Sequence, residues 1–284
     1  MGLSKVFISD LDRTFLDPNG EVPKGAMEFL NRLRKSGYIV GFASARPLNN
    51  VLSQIDGLSF PDWIISNDGA IGYTNENGLF KPKIENYLDN STKNKIILEL
   101  RREGFWPILF LGAAYLYKVL VHSSIDAESI SAINKSDPTR KIVMYNDVAE
   151  LCNYEQVRAI TLYGDVSNST ANYCFTRYQS VANIMYYKET RFDGGMWLDI
   201  ISEDAEKYKT AVALSKSIGV GNVDVSLGNG ANDLGLIRFS NWSAAPFNAD
   251  AKIRSYAKYV SDFCEGEKFI NDVAFKLKAI KWLA

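Results

Sequence analysis

A chain of 284 residues with a formal net charge of −1 and 46 % hydrophobic residues holds material for one large or two moderate folded domains. It lacks the basic excess of a polyanion-wrapping protein, so nucleic acid is not expected as a partner. Its single histidine, His122, lies in the apolar-rich run YLYKVLVHSS, which argues for a structural role and against multi-histidine metal sites or Ser-His-Asp hydrolysis.

The first 70 residues alternate between two patterns. KVFIS is a short apolar run suited to a strand buried on both faces, and PKGAMEFLNRLRKSG places Ala26, Phe29, Leu30 and Leu33 at helical spacing. YIVGFAS reads as a second strand, PLNNVLSQIDG as a short helix, and WIISNDGA as a third strand ending in a turn. From about residue 79 to 191 the texture changes: polar helical stretches such as NSTKNKIILELRREG alternate with strand-like YLYKVLVH, VRAITLYG and VANIMYY. The first pattern then resumes with MWLDIIS, the helical EDAEKYKTAVALSKSIGV, the strand VDVSLG, and the segments WSAAP and DAKIRSYAKYVS. The expected fold is α/β. A Rossmann-like parallel-sheet core spans 1–78 and 192–284, and an α+β domain is inserted at 79–191, entered near Gly78 and left near Gly194 and Gly195. The cysteines, Cys152, Cys174 and Cys264, have no metal-ligand or redox spacing and read as free, mostly buried thiols of a reducing cytoplasm. No secretory leader and no 18-residue apolar run is evident, so a cytoplasmic protein with no membrane partner is expected.

Ligands of open α/β sheets bind beyond the carboxyl ends of the strands. The residues delivered there are Asp10 and Asp12 after the first strand and Ser44-Ala45-Arg46 after the second. Asn67-Asp68-Gly69 follows the third, and Asn229 to Asp233 follows VDVSLG, with Lys207 opening the helix after DIIS. Carboxylates, a hydroxyl and a lysine suit phosphoryl transfer, where every reacting oxygen is negative and catalysis is mostly positioning and charge neutralisation.

In order, DLDRT, ASAR, the lysine ahead of an Ala/Leu-periodic helix, and GNGAND resemble the four motifs of the haloacid dehalogenase superfamily. NDGA and SAAPFNADAKIRSYAKYVSD resemble its Cof-type phosphatases, which carry an asparagine-glycine turn after the third strand and a large cap between the second and third motifs. The resemblance implies a magnesium-dependent phosphatase acting on a small phosphorylated metabolite, a sugar phosphate foremost. Asp10 is then the nucleophile and Asp12 the general acid/base. Magnesium is held by the Asp10 carboxylate, the Asp12 carbonyl, Asn229 and Asp233, while Ser44, Lys207, Asn232, Arg46 and Asn67 face phosphate or substrate. Asp68 reads as structural, and so do the tyrosines of the insert, among them Tyr115, Tyr117 and Tyr186. A monomer or homodimer is expected.

Three positions depart from the family pattern. Asn229 stands where the fourth motif carries its first acid, so one unit of negative charge is lost and weaker magnesium binding is expected. A natural variant, an impaired phospho-ligand binding protein and an inactivating substitution are the readings left open there. Arg13 replaces a glycine, and Ala45 replaces the glycine of Thr-Gly-Arg. A phosphomutase, which shares the aspartyl-phosphate step, is the further alternative.

Overall fold

The computed structural model describes residues 5–58, 61–136, 141–164, 166–188 and 195–283. In chain order the elements begin with β1 (Lys5–Asp10), α1 (Ala26–Lys35), β2 (Tyr38–Ala43), α2 (Leu48–Gln54), β3 (Trp63–Ser66), β4 (Ile71–Glu76) and β5 (Leu79–Glu85). There follow α3 (Asn90–Arg102), β6 (Ile108–Leu111), β7 (Val119–His122), α4 (Ala127–Ser136), β8 (Ile142–Tyr145), α5 (Val148–Leu151), β9 (Val157–Gly164), α6 (Asn168–Tyr178), β10 (Ala182–Lys188) and β11 (Met196–Ser202). The chain ends with α7 (Lys207–Ser217), β12 (Val225–Leu227), α8 (Leu234–Phe239), β13 (Trp242–Ala245), α9 (Ala251–Tyr256), β14 (Tyr259–Val260) and α10 (Glu267–Ala279).

Two compact units result: Met1–Glu85 with Glu206–Ala284, and Asn86–Ala205. The first unit carries an eight-stranded sheet in the order β14-β13-β12-β1-β2-β3-β4-β5. From β14 to β3 every pairing is parallel, as the alternation of apolar runs and helices predicts. Successive strands step away from β1 in one direction through β2 and β3, and from β12 in the other through β13 and β14. The strand order therefore reverses between β1 and β12, which makes that junction the switch point where a ligand crevice opens. Val6, Phe7 and Ile8 of β1 are wholly buried. Val6 and Ile8 pack with Trp63, Ile65, Ala211 and Leu214, so helix α7 is pinned to the same face of the sheet.

The first unit extends further than its sequence pattern suggests. Asn77 and Gly78 have φ of 57° and 88°, the left-handed pair of a two-residue hairpin turn whose twist matches the strands it joins. Gly78 is thus a turn inside the sheet, not a linker: β5 pairs antiparallel with β4, and the division falls after Glu85. The expected return junction at 191–192 lies outside the described residues. The strand MWLDIIS, expected in the core, belongs instead to the second unit, where β11 is paired on both sides by β9 and β10.

That second unit has a six-stranded sheet, β10-β11-β9-β6-β7-β8, antiparallel except between β7 and β8. Helices α3 and α6 bury Ile96, Ile97, Leu100, Ala171 and Cys174 in its core. Asp89 caps α3 through Ser91 N and Thr92 N, and Ser167 caps α6 through Thr170 N. Two of the tyrosines pack within this unit: Tyr115 sits edge-on to Tyr154, and Tyr186 Oη donates to Val166 O. His122 stacks on Trp106 with ring centres 3.4 Å apart. All three cysteines are free, but only Cys174 is buried; Cys152 is half-buried and Cys264 exposed. Among the described residues no helix is long and apolar enough to cross a membrane.

Candidate active site

The site assembles at the carboxyl edge of the first unit's sheet. β1 ends at Asp10, and the chain leaves it through a tight turn, 11–15, in which Arg13 adopts φ 57°. This turn brings Asp12 and Thr14 back beside the strand ends. β12 ends at Leu227 and passes into the loop 228–233, where Asp233 Oδ2 accepts from the backbone N–H groups of Asn229 and Gly230, both at 3.0 Å. The loop is therefore shaped by its own acid.

Lys207 joins the two strand ends. Its Nζ donates to Asp10 Oδ1 at 2.6 Å and to Asp233 Oδ1 at 2.8 Å. All three side chains are withdrawn from water, with Asp10 5 %, Lys207 1 % and Asp233 0 % exposed. Lys207 is also the first residue of α7, where the helix dipole disfavours a cation. A solvated lysine avoids that place, so the carboxylates must be what holds it there. Burial would lower the Lys207 ammonium, but Asp10, Asp233 and Asp68 around it raise it above its ordinary value. Burial, reinforced by Asp233 and opposed by Lys207, pushes the Asp10 carboxyl up to about 7.

Asp12 meets a different cation. Arg46 Nε donates to its Oδ2 at 2.8 Å and Arg46 Nη2 to its Oδ1 at 2.5 Å, a two-pronged pair. The loop after β2 that carries Arg46 is in turn tied to the turn after β3. Asp68 N donates to Ser44 O at 3.1 Å and Asn67 N to Arg46 O at 3.1 Å. Ser44 is buried, and its Oγ accepts from Arg46 N at 3.1 Å. An accepting hydroxyl keeps its proton to give to an anionic oxygen.

The structure thus gathers the expected set at one sheet edge and pairs it in detail. Asp10, Lys207 and Asp233 form one buried cluster, and Asp12 with Arg46 forms a second pair. Arg46 therefore holds a carboxylate, where the sequence offered it as a phosphate or substrate contact or as an ordinary helix-entry charge. Asn232 Nδ2 donates to Asp68 Oδ1 at 2.7 Å, and Asn229 Oδ1 accepts from the Thr14 hydroxyl at 3.0 Å. Ser66 Oγ donates to Asn67 Oδ1 at 3.3 Å. One participant went unremarked in the sequence and another was given no part in the site. Thr14 carried a signal, a hydroxyl two residues past Asp12. Asp68, read as structural, is 7 % exposed, and burial raises its carboxyl against the pull of Lys207 and Asn232.

The oxygens present suit magnesium. Lys207 contacts only one oxygen of Asp10, and Asn229 adds an amide oxygen close by, with Asp233 at the same edge. Among the described residues no three metal-ligating side chains form a ready cage. Magnesium commonly takes one or two carboxylates and leaves its other positions to water and a substrate phosphate, so this donor set fits.

A family model described as haloacid dehalogenase-like hydrolase matches residues 7–266. A protein of Buchnera aphidicola subsp. Schizaphis graminum, named "Putative phosphatase", is 20 % identical over 258 residues, which is 90 % of this chain and 88 % of that protein. Among solved structures, a haloacid dehalogenase-like hydrolase from Bacteroides thetaiotaomicron superposes with a TM-score of 0.64 at 21 % identity, covering 98 % of both chains. The subclass IIB sugar phosphatase BT4131 superposes with a TM-score of 0.70 at 17 % identity, covering 98 % of this chain and all of its own. At these identities the solved structures establish the fold.

Proposed function

The chain belongs to the haloacid dehalogenase-like hydrolases, and from that premise we propose that it is a magnesium-dependent phosphatase of small phosphorylated metabolites, sugar phosphates foremost. The observation that carries the reading is the Lys207 bridge between Asp10 and Asp233 at the strand switch point. A buried ammonium that holds one carboxylate at the end of β1 and another beyond β12 prepares a place for a phosphoryl group between them. The likeness to a sugar phosphatase fold and to a relative named as a phosphatase supports the substrate class.

In this reading Asp10 attacks phosphorus, forming a bond from its carboxylate oxygen while the bond to the leaving alcohol breaks. Asp12, protonated and turned from Arg46 at this step, gives the departing oxygen its proton. Asp12, now the carboxylate that Arg46 holds, then takes a proton from water. The water oxygen attacks phosphorus, the Asp10–phosphorus bond breaks, and inorganic phosphate leaves. Lys207 and the Ser44 hydroxyl hold phosphoryl oxygens throughout, and Lys207 keeps Asp10 aligned. Asp10, Asn229, Asp233 and the Asp12 carbonyl would hold magnesium, which when bound neutralises phosphoryl charge.

The test is phosphate release from a panel of sugar phosphates, with and without magnesium. Magnesium-dependent release that disappears in Asp10→Asn is expected. Purified protein that releases none at millimolar magnesium overturns the reading in favour of a phospho-ligand binding protein, which the amide at 229 makes the alternative. Isomerised sugar phosphate in place of free phosphate identifies a phosphomutase.

A further inference from the structure

Asparagine and aspartate share a shape but differ in symmetry. A carboxylate offers a cation an oxygen at either end, whereas an amide turned over offers an NH2 group, which repels it. The terminal torsion of asparagine is broad and roughly two-fold, so the torsion itself does not choose the end. At position 229 the main chain is already fastened. Its N–H donates to Asp233 Oδ2 and its carbonyl accepts from Asp250 N, both at 3.0 Å. Only the end of the side chain is left to be set.

The Thr14 hydroxyl sets it. It donates to Asn229 Oδ1 at 3.0 Å, from a side chain that is wholly buried. Thr14 is itself held in place: it lies in the turn 11–15 after β1, and its carbonyl accepts from Gly266 N at 3.4 Å. The same hydroxyl draws down the Asp10 carboxyl, so the amide oxygen is kept on the Asp10 side of its loop. An amide oxygen has two lone pairs, one for the hydroxyl and one for a cation. We propose that Thr14 is a positioning residue that fixes which end of the Asn229 amide faces the site, and that its hydroxyl is what lets an asparagine serve in place of an acid as a magnesium ligand. Thr14 touches neither metal nor phosphate in this role and acts through Asn229. It follows that the hydroxyl is needed only while residue 229 carries an amide. The inference rests on the magnesium-dependent reading above.

Calorimetric titration of the full chain with magnesium tests it, on wild type, Thr14→Val, Asn229→Asp and the double variant. Thr14→Val keeps the outline of the buried side chain and removes the hydroxyl. It should weaken magnesium binding about tenfold, the scale on which a metal site loses affinity when a partner that orients its ligand is removed. In the Asn229→Asp background the same substitution should change affinity by no more than about twofold, because either end of a carboxylate is an oxygen. Any direct effect of Thr14 on Asp10 is common to both backgrounds and cancels in the comparison. Thr14→Ser and Thr14→Ala both give up the methyl group and differ in the hydroxyl. Thr14→Ser should bind magnesium like wild type and Thr14→Ala like Thr14→Val, which separates the hydroxyl from packing even where Thr14→Val folds poorly. A merely structural Thr14 would lower affinity equally in both backgrounds, and that result overturns the proposal. So does unchanged affinity in Thr14→Val, or equal affinity in Thr14→Ser and Thr14→Ala. Absence of magnesium binding in every variant, Asn229→Asp included, overturns the magnesium reading itself and is distinct from those results.

Discussion

The Arg46 guanidinium closes on both oxygens of the Asp12 carboxylate, Nε on Oδ2 and Nη2 on Oδ1. The same arginine gives its backbone N–H to Ser44 Oγ and receives the Asn67 N–H at its carbonyl. One residue therefore fixes the direction of the proposed acid/base and the meeting of two strand-end loops. A planar fork is needed for the first task, and lysine offers only a point charge.

Arg46→Lys should consequently keep the fold and lose rate. The pair is partly solvent-exposed, with Asp12 46 % and Arg46 16 % accessible at the side chain, so its loss should change stability by only about 1 kcal/mol or less. Loss of orientation at the proposed proton-transferring carboxylate should lower kcat for phosphate release about 10- to 100-fold, with KM moving less. Steady-state kinetics beside a denaturant curve checks both halves, and a variant with full kcat would remove Asp12 orientation from the mechanism.

Lys207→Met should damage stability and activity together. Without the ammonium, Asp10 and Asp233 are left with no counter-charge in a dry site, a situation that costs about 3–5 kcal/mol. The penalty should depend on pH with a definite sign. The Asp10 carboxyl is already raised, by burial first and Asp233 second, and Lys207 is the group pulling it down. A raised carboxyl costs stability once ionised, so the deficit of Lys207→Met against wild type should grow as pH rises through about 7 and shrink as acid protonates Asp10. Urea unfolding of both proteins across pH 5 to 8 measures it.

Why the meeting of these strand-end residues was legible and their pairing was not follows from the same residues. Parallel strands put all their carboxyl ends on one edge, so apolar runs ending in Asp10, Ser44 and Asn67 announce a shared place whatever the loops do. Which loop meets which depends on backbone turns that no pattern encodes. The left-handed residues at 13, 67 and 68 decide that Arg46 meets Asp12, that Thr14 meets Asn229 and that Asn232 meets Asp68. Sheet membership failed for a different reason. The apolar run of Met196–Ser202 suits a buried strand of either unit, and only its pairing with β9 and β10 assigns it. Asn77-Gly78 carried the hairpin signal in plain view, but a glycine between two textures also resembles a linker.

The cap of α3 offers a prediction remote from the chemistry. Asp89 accepts from Ser91 N at 2.8 Å and Thr92 N at 3.1 Å, and the Thr92 side chain foremost, with these contacts, holds its carboxyl down at about 2. A carboxyl depressed in the folded state contributes stability above its unfolded value near 4 and loses it as pH falls through 2. Asp89→Ala should cost about 1 kcal/mol at pH 7, and the difference from wild type should vanish towards pH 2. Asp89→Asn, which caps without titrating, should show a weaker pH dependence in the same chemical-denaturation series.

Gly69 ties the turn after β3 to the entrance of α7. Its φ is +100°, and a Cβ there would lie 2.4 Å from the Glu206 carbonyl carbon and 2.6 Å from Glu206 N and O. Those are backbone atoms, which cannot swing aside as a side chain would. Thr210 Oγ1 donates to Gly69 O at 2.7 Å, so the contact is fastened one helical turn further on. Glu206 immediately precedes Lys207, and any retreat of its backbone moves the ammonium away from Asp10 and Asp233. Gly69→Ala therefore combines left-handed strain with a backbone clash, and about 2–4 kcal/mol of stability should be lost. In whatever fraction stays folded, phosphate release should fall through kcat, because the 2.6 Å contact of Lys207 with Asp10 does not survive a shift of about 1 Å. Asn77→Ala makes the comparison, since it strains the left-handed hairpin turn between β4 and β5, outside the strand-end loops: it should cost stability and leave the rate nearer to wild type. An equal loss of rate in the two variants would show that lost stability, and not the seat of Lys207, is what slows Gly69→Ala.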